Sequence, residues 1–198
     1  MRNPQPTDGQ LREIYSPQYF LGSNSEVDSA EAAHLKGLTA DRYLDQIEAY
    51  ANAHGNLVQG GSLLEIGCGT GNLLLAAKRR GHKVAGVEVS ESAVRAANEK
   101  LGDDCVHCGE IQDAPLPPQR FDICVLADVI EHTRDPVACL EHVYRLLKPG
   151  GILFVAVPSL DSWSAKLMRT QWSEFKTEHL FYFNGETARS ILFRFSSS

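Results

Sequence analysis

The feature that most constrains this chain is a repeated alternation of short, mostly apolar runs with helical segments that end at glycine. Five runs carry the pattern: Ser62–Ile66, Lys83–Val89, Cys105–Cys108, Phe121–Ala127 and Ile152–Val157. Strands that are apolar on both faces belong to parallel sheets that helices cover on both sides. Strand–helix–strand repetition with short connections therefore predicts a doubly wound α/β fold, with a mostly parallel sheet and helices on both faces.

The segments around these runs have helical periodicity and recognisable ends. The pattern turns helical from Ala30, with Asp41 as a start signal and Gly55 as a stop signal. Further helices are predicted over Asn72–Arg80, Glu91–Leu101, Asp135–Leu147 (ended by Pro149-Gly150-Gly151) and Glu186–Phe193. Ser90 and Asn184 are the expected N-caps, because their side-chain oxygens can accept from the first free backbone N–H groups.

Residues 30–198 are predicted to form a single domain, preceded by a flexible arm or lid over residues 1–29. The arm has no sustained period and carries Pro, Gly, Asn and Ser throughout. Residues 159–183 break the strand–helix pattern and contain Trp163, Met168 and Trp172. Such a segment often covers the pocket of an α/β enzyme and selects the substrate, although its aromatic residues can equally fill the core.

Charge and cysteine content narrow the class of protein. With 25 acidic and 19 basic residues the net charge is −6, which disfavours a nucleic-acid partner. No apolar run is long enough to predict a membrane span. Five cysteines, an odd number and mostly in apolar runs, favour reduced thiols and a cytoplasmic protein. A zinc site at Cys105-Val106-His107-Cys108 is rejected, because no second close pair completes it.

The segment after the first run predicts a ligand-binding turn. Residues 63–72, LLEIGCGTGN, follow a strand and open a helix. Gly67, Gly69 and Gly71 let the backbone turn sharply and approach a ligand, although a plain strand–helix turn is the alternative. Their spacing differs from the Gly-x-Gly-x-x-Gly turn that holds a pyrophosphate. Glu65 disfavours a phosphate and favours a cationic group such as an amine.

An acidic residue follows one strand later. Glu88 ends the second run, where in a doubly wound sheet a carboxylate can accept both hydroxyls of an adenosine ribose. The alternative is a solvated glutamate at a strand end. Its pairing with the glycine turn favours the ribose interpretation.

Four segments, in this order, carry a family resemblance: residues 65–71 (EIGCGTG), 86–90 (GVEVS), 121–132 (FDICVLADVIEH) and 146–151 (LLKPGG). In them the chain resembles the class I S-adenosylmethionine-dependent methyltransferases, particularly the small-molecule branch that includes quinone-biosynthesis enzymes. The resemblance implies a Rossmann-like methyltransferase fold, with S-adenosylmethionine as cofactor and S-adenosylhomocysteine as product.

That family usually ends in an antiparallel hairpin of two further strands. This sequence stops at Ser198, directly after the last predicted helix, so the C-terminal hairpin is expected to be missing. An exposed sheet edge near the fifth strand would follow, and a homodimer can form by pairing across such an edge.

The resemblance also implies roles for individual cofactor-binding residues: Glu65, Gly67, Cys68, Gly69, Gly71, Glu88, Val89, Glu110, Ile111, Ala127 and Asp128. The glycine turn lies beneath the methionine moiety, and Glu65 orients its amino group. Glu88 holds the ribose, and Val89 lies against the adenine. Glu110 and Ile111 meet the adenine edge, although many relatives carry Asp at the first of these positions. Ala127 and Asp128 face the sulfonium and the acceptor.

His132 is the candidate catalytic residue at the reactive end of the pocket. Methyl transfer is an in-line displacement that depends mainly on alignment and exclusion of water, and a hydroxyl acceptor gains from a nearby base. Capping of the next helix is the alternative role for this histidine. No metal is expected. The alternative is a divalent ion held by Asp128, Glu131, His132 and His179, which resembles the Glu-x-x-Glu-His set of a metal-dependent subset with Asp replacing the first Glu.

The function predicted from these features is transfer of a methyl group from S-adenosylmethionine to a small-molecule acceptor, at oxygen. One alternative is a non-catalytic or truncated S-adenosylmethionine-binding module, and another is a nicotinamide-dependent oxidoreductase. The glycine spacing argues against the oxidoreductase. A small molecule is the expected partner, with no nucleic acid and no membrane span.

Overall fold

The computed structural model describes residues 5–7, 30–56 and 58–195, with the side chains of residues 30–33 left aside. Apart from residues 5–7, the predicted arm over 1–29 lies outside the described residues. The helices are α1 (Ala30–Ala53), α2 (Asn72–Arg79), α3 (Glu91–Leu101), α4 (Pro136–Leu146), α5 (Trp163–Met168) and α6 (Gly185–Phe193). The strands are β1 (Ser62–Ile66), β2 (Lys83–Glu88), β3 (Val106–Cys108), β4 (Phe121–Ala127) and β5 (Leu147–Ala156).

The five strands form one parallel sheet in the order β3-β2-β1-β4-β5. This confirms the predicted doubly wound fold, with the chain reversing its direction of travel between β1 and β4. The pairing register puts Ile66 beside Val87 on one side and Leu126 on the other. The carboxyl ends of β1, β2 and β4 therefore meet at one edge, where ligands bind in open α/β sheets.

Apolar side chains cover both faces of the sheet. Leu63 and Ile123 belong to the cluster that includes residues of α1, α2 and α3, and both are fully buried. Leu64 and Cys124 belong to the cluster on the other face, with residues of α4. Successive strand residues alternate between the two clusters because side chains point to opposite faces. This double burial explains why the runs are apolar throughout.

Helix caps follow the sequence signals. The Ser90 side chain accepts from the Ala93 N–H at 3.4 Å, and Gly102 ends α3 with a φ of 66°. Asn184 and Thr187 form a reciprocal capping box at the start of α6. These local predictions are confirmed because a cap depends on residues within one helical turn.

Several element boundaries differ from the predictions, and the largest differences are at the starts of α1 and β5. Helix α1 already begins at Ala30 and runs through Asp41, whose carboxylate instead bonds Arg80 at 2.9 Å. Helix α4 ends at Leu146, and β5 begins at Leu147 rather than Ile152, because the backbone of this residue pairs with Phe121. A register shift follows between Phe121 and Ile123.

Helix α5 is a further difference, because no apolar periodicity predicted it. Its start is fixed locally, since the Ser162 hydroxyl accepts from the Ala165 N–H at 3.1 Å. Within the described part of the chain the sheet has no strand beyond β5, whose ladder pairs with β4 alone. None of the described helices is long and apolar enough to cross a membrane.

Candidate active site

The glycine turn joins β1 to α2 at the carboxyl edge of the sheet. Gly67, Gly69 and Gly71 have φ values of 66°, 50° and 73°, in the left-handed region that favours glycine. The Gly67 N–H donates to the Val87 carbonyl at 2.8 Å, which ties the turn to β2. The predicted turn is therefore present and held against the neighbouring strand.

The three glycines serve different purposes. A Cβ at Gly67 would lie 2.5 Å from Cγ2 of Val129, and one at Gly71 would lie 3.1 Å from Cβ of Ala97. Close packing therefore excludes a side chain at Gly67, and at Gly71 a side chain would force Ala97 to shift. A Cβ at Gly69 would meet nothing within 4 Å. The backbone of this middle glycine faces open space, as a surface that receives a ligand must.

Glu88 is fixed by the turn that it faces. Its side chain is 3% exposed. One carboxylate oxygen accepts from the Gly69 N–H at 2.9 Å, and the other accepts from the Ser90 N–H at 3.0 Å. These two bonds join the glycine turn, β2 and α3 into one unit. The oxygens keep lone pairs for further donors such as ribose hydroxyls.

Glu65 lies in the same unit and has an unusual environment. Its side chain is 6% exposed, and its Oε2 has no hydrogen-bond partner among the described residues. Burial, and then the carboxylate of Glu88, raise the pKa of Glu65 well above its usual range. A buried carboxyl with an unused oxygen favours a ligand that brings a positive charge or a hydrogen-bond donor.

The remaining predicted cofactor residues fall into two groups. Val89 is 52% exposed and Glu110 is also exposed, accepting from Gln112 at 2.6 Å, so both side chains are open to a ligand. Cys68 and Ile111 are buried, at 6% and 7% exposure, and pack into the two core clusters. Their side chains are therefore directed into the core, which leaves their backbone groups as the atoms to meet a ligand.

Asp128 follows Ala127 at the end of β4 and adopts a strained backbone. Its φ is 54°, and its N–H donates to the Ala156 carbonyl at 2.9 Å. A non-glycine residue in this region is uncommon and tends to mark functional sites. The side chain is exposed. Partial desolvation within the cleft, and then the carboxylate of Glu174, raise its pKa.

Glu131, His132 and His179 form a compact cluster, the EHH cluster, beyond the end of β4. One potential ligand atom from each residue lies within 4.8 Å of the others. The His132 and His179 rings meet edge to face, with centroids 4.7 Å apart. The Leu180 N–H donates to the Glu131 carbonyl at 2.8 Å and holds the distant loop here. Asp128, the fourth residue of the alternative metal set, is not part of this cluster.

Burial shifts the pKa values of all three residues of the EHH cluster in the direction that favours their neutral forms. Glu131 is 1% exposed, and burial raises its pKa to about 7. Burial, and then His179, lower the pKa of His132 to about 4. Burial, and then Lys176, also lower the pKa of His179. Both imidazoles are therefore neutral near pH 7, and each can offer a nitrogen lone pair.

Three residues of this region carry no signal in the sequence. Glu174 and Lys176, joined by a 3.0 Å ion pair, influence the pKa of Asp128 from the loop after α5. Tyr43 of α1 packs against Phe154 at a ring distance of 5.1 Å, and burial, and then the carboxylate of Asp128, raise its pKa. No motif marks these residues, because they approach the site only through tertiary packing.

The segment predicted as a lid places apolar side chains in solvent. Trp163 is 78% exposed and Leu167 is 64% exposed, and α5 contains no buried residue. Trp172 behaves differently: it is 5% exposed, and its indole N–H donates to Ser164 at 3.2 Å. The two tryptophans of this segment therefore differ: Trp172 fills the core, whereas Trp163 lies in solvent.

A cavity of about 410 Å³ lies elsewhere, at the opposite edge of the sheet. It is lined where β1, β2 and β4 begin, by residues that include Ser62, Lys83 and Asp122. The Asp122 carboxylate there is already bonded to Lys148 at 2.8 Å and to the Ser62 N–H at 2.8 Å. The unpartnered oxygen of Glu65 and the open backbone of Gly69 lie at the carboxyl edge instead, which makes that edge the candidate active site.

Comparison with known proteins finds methyltransferases. The chain is 34% identical over 101 residues to a ubiquinone biosynthesis O-methyltransferase of Coxiella burnetii, covering 49% of this chain and 43% of that protein. It is 28% identical over 119 residues to a malonyl-[acyl-carrier protein] O-methyltransferase of Serratia marcescens, covering 60% and 46%. The aligned part thus spans less than half the length of either curated relative.

Structural comparison extends the similarity over more of the chain. A solved Thermotoga maritima protein, described as a SAM-dependent methyltransferase and possible histamine N-methyltransferase, aligns with a TM-score of 0.63 and 27% identity. The alignment covers 85% of this chain and 76% of that one. Nothing in these comparisons supports the oxidoreductase or the non-catalytic alternative. A family described as a methyltransferase domain matches residues 36–195. The chain therefore belongs to the methyltransferase domain family and has the Rossmann-like fold of class I methyltransferases.

Proposed function

We propose that this protein binds S-adenosylmethionine at the carboxyl edge of its sheet and transfers the methyl group to an oxygen of a small-molecule acceptor. The observation that carries the proposal is the unit formed by Glu65, the glycine turn and Glu88. A buried carboxyl with an unused oxygen, an open backbone at Gly69 and a fixed strand-end carboxylate stand side by side. The O-methyltransferase names of both curated relatives support oxygen as the acceptor atom.

Each residue of this unit has a separate task in binding. Glu65 receives the cofactor's ammonium, which supplies the positive charge that its buried carboxyl lacks. Gly69 allows the backbone to lie against the methionine moiety without a side chain between them. Glu88 accepts the ribose hydroxyls with oxygens that two backbone N–H groups already orient. Preorganisation of this kind lowers the entropy lost on binding.

The adenine contacts divide between side chains and backbone. Val89 offers an exposed apolar side chain to the ring face, while the backbone of Ile111 meets the ring edge. Glu110 is open to the same edge. The backbone of Cys68 and that of Gly71 complete the turn, while the side chain of Cys68 packs inside the core.

The acceptor lies beyond Ala127 and Asp128. The bound cofactor would supply a methyl group activated by its sulfonium, so that an acceptor oxygen bonds to the methyl carbon in line as the carbon–sulfur bond breaks, with S-adenosylhomocysteine as the leaving group. The residues of this end position the acceptor and exclude water, which can supply much of the rate. His132 is neutral and follows the same strand, so it is our candidate for handling the acceptor's proton.

The lid over residues 159–183 is proposed to select the acceptor. Trp163 and Leu167 leave large apolar surfaces exposed beside polar residues, which is typical of a surface that binds an apolar or flat molecule. The acceptor class that fits is a small molecule with a reactive hydroxyl and an apolar body. A cytoplasmic location remains the proposal from the cysteines, all five of which are free thiols.

Binding and turnover are tested separately. Calorimetry with S-adenosylmethionine, S-adenosylhomocysteine and NAD establishes the ligand, and we expect only the first two to bind, with one site per chain. Release of S-adenosylhomocysteine is then followed across a panel of phenols, carboxylic acids and amines. Turnover confined to the amines would overturn the oxygen assignment. Cofactor binding without turnover on any acceptor would favour a non-catalytic module, and binding of NAD alone would overturn the proposal.

A further inference from the structure

The connection between β3 and β4 leaves one face of the sheet partly uncovered. Helices α2, α3 and α4 form the other crossovers, but residues 109–120 join β3 to β4 without a helix. Ala114 and Leu116 of this connection pack against the core cluster of α4, and both are only partly buried. Ala85 of β2 is half-buried against the same cluster. It lines the cavity of about 410 Å³ where β1, β2 and β4 begin, which we call the amino-edge cavity.

The charges that line the amino-edge cavity are mostly positive. Lys83, Arg120 and Lys148 are the cations of the lining, and with the carboxylate of Asp122 they leave a net charge of +2. Asp122 is already engaged, by Lys148 at 2.8 Å and by the Ser62 N–H at 2.8 Å. Among the described residues, none forms an ion pair with Lys83 or Arg120. In a chain with a net charge of −6, two such cations at one cavity favour an anionic ligand.

Apolar groups line the same cavity. Phe121 is 2% exposed and belongs to the core cluster of α4, and Cζ of Arg120 lies 5.8 Å from the centroid of its ring. Val84 and Ala85 add half-buried aliphatic carbon from the start of β2. No described residue accepts from the guanidinium of Arg120, so its N–H groups remain available to an anion. A ligand in this cavity meets positive charge and apolar carbon together, which favours an organic anion over a bare inorganic one.

We propose that the amino-edge cavity binds a small organic dianion, whose charges come from a phosphate or from two carboxylates on a compact apolar body. The pairing register places Lys83 beside Ser62, and the Ser62 N–H donates to Asp122 on the next strand. Neighbouring strands lie about 4.8 Å apart, so the starts of these three strands form a row about 10 Å long. That length suits a single ring with its charged group. Lys83 and Arg120 bind the anionic group through charge-assisted hydrogen bonds.

The dianion site is separate from the proposed cofactor site. Strand β2 runs from Lys83 at the cavity to Glu88 at the carboxyl edge. At about 3.3 Å per residue, the Cα atoms of these two residues are roughly 17 Å apart. The two edges also differ in charge, since the carboxyl edge carries Glu65, Glu88 and Asp128 while cations predominate at the cavity. The inference therefore does not depend on the proposed function, and a dianion and S-adenosylmethionine can be bound at the same time.

Four probes test the site on the full chain: phenyl phosphate, phthalate, inorganic phosphate and neutral benzyl alcohol. Calorimetry measures affinity, and amide chemical shifts of Gly60, Gly61 and Lys83 locate the bound probe. We expect phenyl phosphate or phthalate to bind once per chain, and the tighter of the two identifies the anionic group. Inorganic phosphate and benzyl alcohol should each bind about tenfold more weakly than that probe, because each lacks either the apolar body or the charge. Added NaCl should weaken binding, because the cavity is open to solvent.

Charge variants separate this site from general attraction to the surface. Lys83→Gln and Arg120→Gln should each weaken binding of the tighter probe about fivefold or more. Asp122→Asn should tighten it severalfold, because the substitution removes the negative charge of the lining and releases Lys148. Lys36→Gln makes the matched control, an exposed lysine of α1 outside the cavity, and should change nothing.

The proposal is overturned if neither organic probe binds, or if affinity is unchanged in all three cavity variants. Displacement of the probe by S-adenosylhomocysteine would also overturn it, because the probe would then occupy the cofactor site. Circular dichroism checks the folding of each variant. Failure of S-adenosylmethionine to bind would contradict the proposed function alone, since the probe titrations need neither cofactor nor acceptor.

Discussion

Replacing Glu88 with glutamine tests the unit on which the cofactor site depends. The substitution keeps the shape of the side chain but exchanges one carboxylate oxygen for an NH2 group. In the native protein one oxygen accepts from the Gly69 N–H and the other from the Ser90 N–H, at 2.9 and 3.0 Å. An amide satisfies only one of these donors and turns a second donor toward the other. One charge-assisted bond is lost, and the remaining one becomes neutral.

The magnitude follows from these bonds. A hydrogen bond to a charged group contributes about 1.5–3 kcal/mol, and Glu88 is 3% exposed, so solvent does not replace it. We expect a loss of about 2 kcal/mol of unfolding free energy, or roughly 4–8 °C in Tm for a chain of this size. The loss of one bond of about 2 kcal/mol to the ribose weakens S-adenosylmethionine binding about 30-fold.

The assay combines thermal unfolding with calorimetry on wild type, Glu88→Gln and Glu91→Gln. Glu91 makes the matched control, because it undergoes the same change of charge three residues away, with its side chain 81% exposed. This control should change neither Tm nor affinity measurably. If Glu88→Gln lowers Tm but binds the cofactor as tightly as wild type, the ribose assignment is wrong. If neither quantity changes, the two backbone hydrogen bonds of Glu88 do not stabilise the fold either.

Three further predictions concern the turn, the opposite edge and the lid. Gly67→Ala should lower the unfolding free energy by about 2 kcal/mol or more, because the alanine Cβ would lie 2.5 Å from Val129 at a positive φ. Denaturant titration measures this loss, and an unchanged midpoint would contradict it. Asp122→Asn should lower the unfolding free energy by about 1–2 kcal/mol at pH 7, and the loss is moderate because Asp122 and Lys148 are partly exposed. Hydrogen bonds from Lys148, outweighing partial burial, lower the pKa of Asp122, so its contribution is present above about pH 4 and is lost as the pH falls through the folded-state pKa. A difference in stability between wild type and variant that did not narrow as the pH fell below about 4 would refute this. Trp163→Ala should leave Tm unchanged, since this residue is 78% exposed. The same variant should raise KM for an apolar acceptor about tenfold, because an apolar contact is lost. An unchanged KM would show that Trp163 does not contact the acceptor.

Dimerisation across β5 stays a prediction. The ladder of this strand pairs with β4 alone within the described residues, so its other side is a sheet edge. Sedimentation velocity over a range of protein concentrations measures the association. A single monomeric species at every concentration would contradict pairing through this edge.

The sheet and the glycine turn followed from the sequence because their causes are local or periodic. Apolar runs bounded by glycine reflect burial on both faces of a parallel sheet, and this burial is what the two core clusters show. Caps such as Ser90 and Asn184 act within one helical turn, so their partners are neighbours in sequence. The positive φ values of the turn required the glycines that marked it.

Boundaries set by long-range pairing were beyond the sequence. The sequence pattern predicts Leu147 as the end of a helix, but in the structure it is a strand residue because it pairs with Phe121. The sequence pattern predicts Asp41 as a helix start, but in the structure it lies within α1 and pairs with Arg80 at the end of α2. In both cases a contact from elsewhere in the chain outweighed the local signal.

The sequence by itself determined the fold and singled out the residues that we propose to carry chemistry, from Glu65 and Glu88 to Glu131 and His132. Only the tertiary structure decided what these residues do together. It placed Cys68 in the core, bonded Glu88 to Gly69, and brought His179 from a distant loop onto a cluster that leaves Asp128 aside. The physical reason is that a motif records spacing along one segment, whereas burial and hydrogen bonding depend on which other segments pack against it.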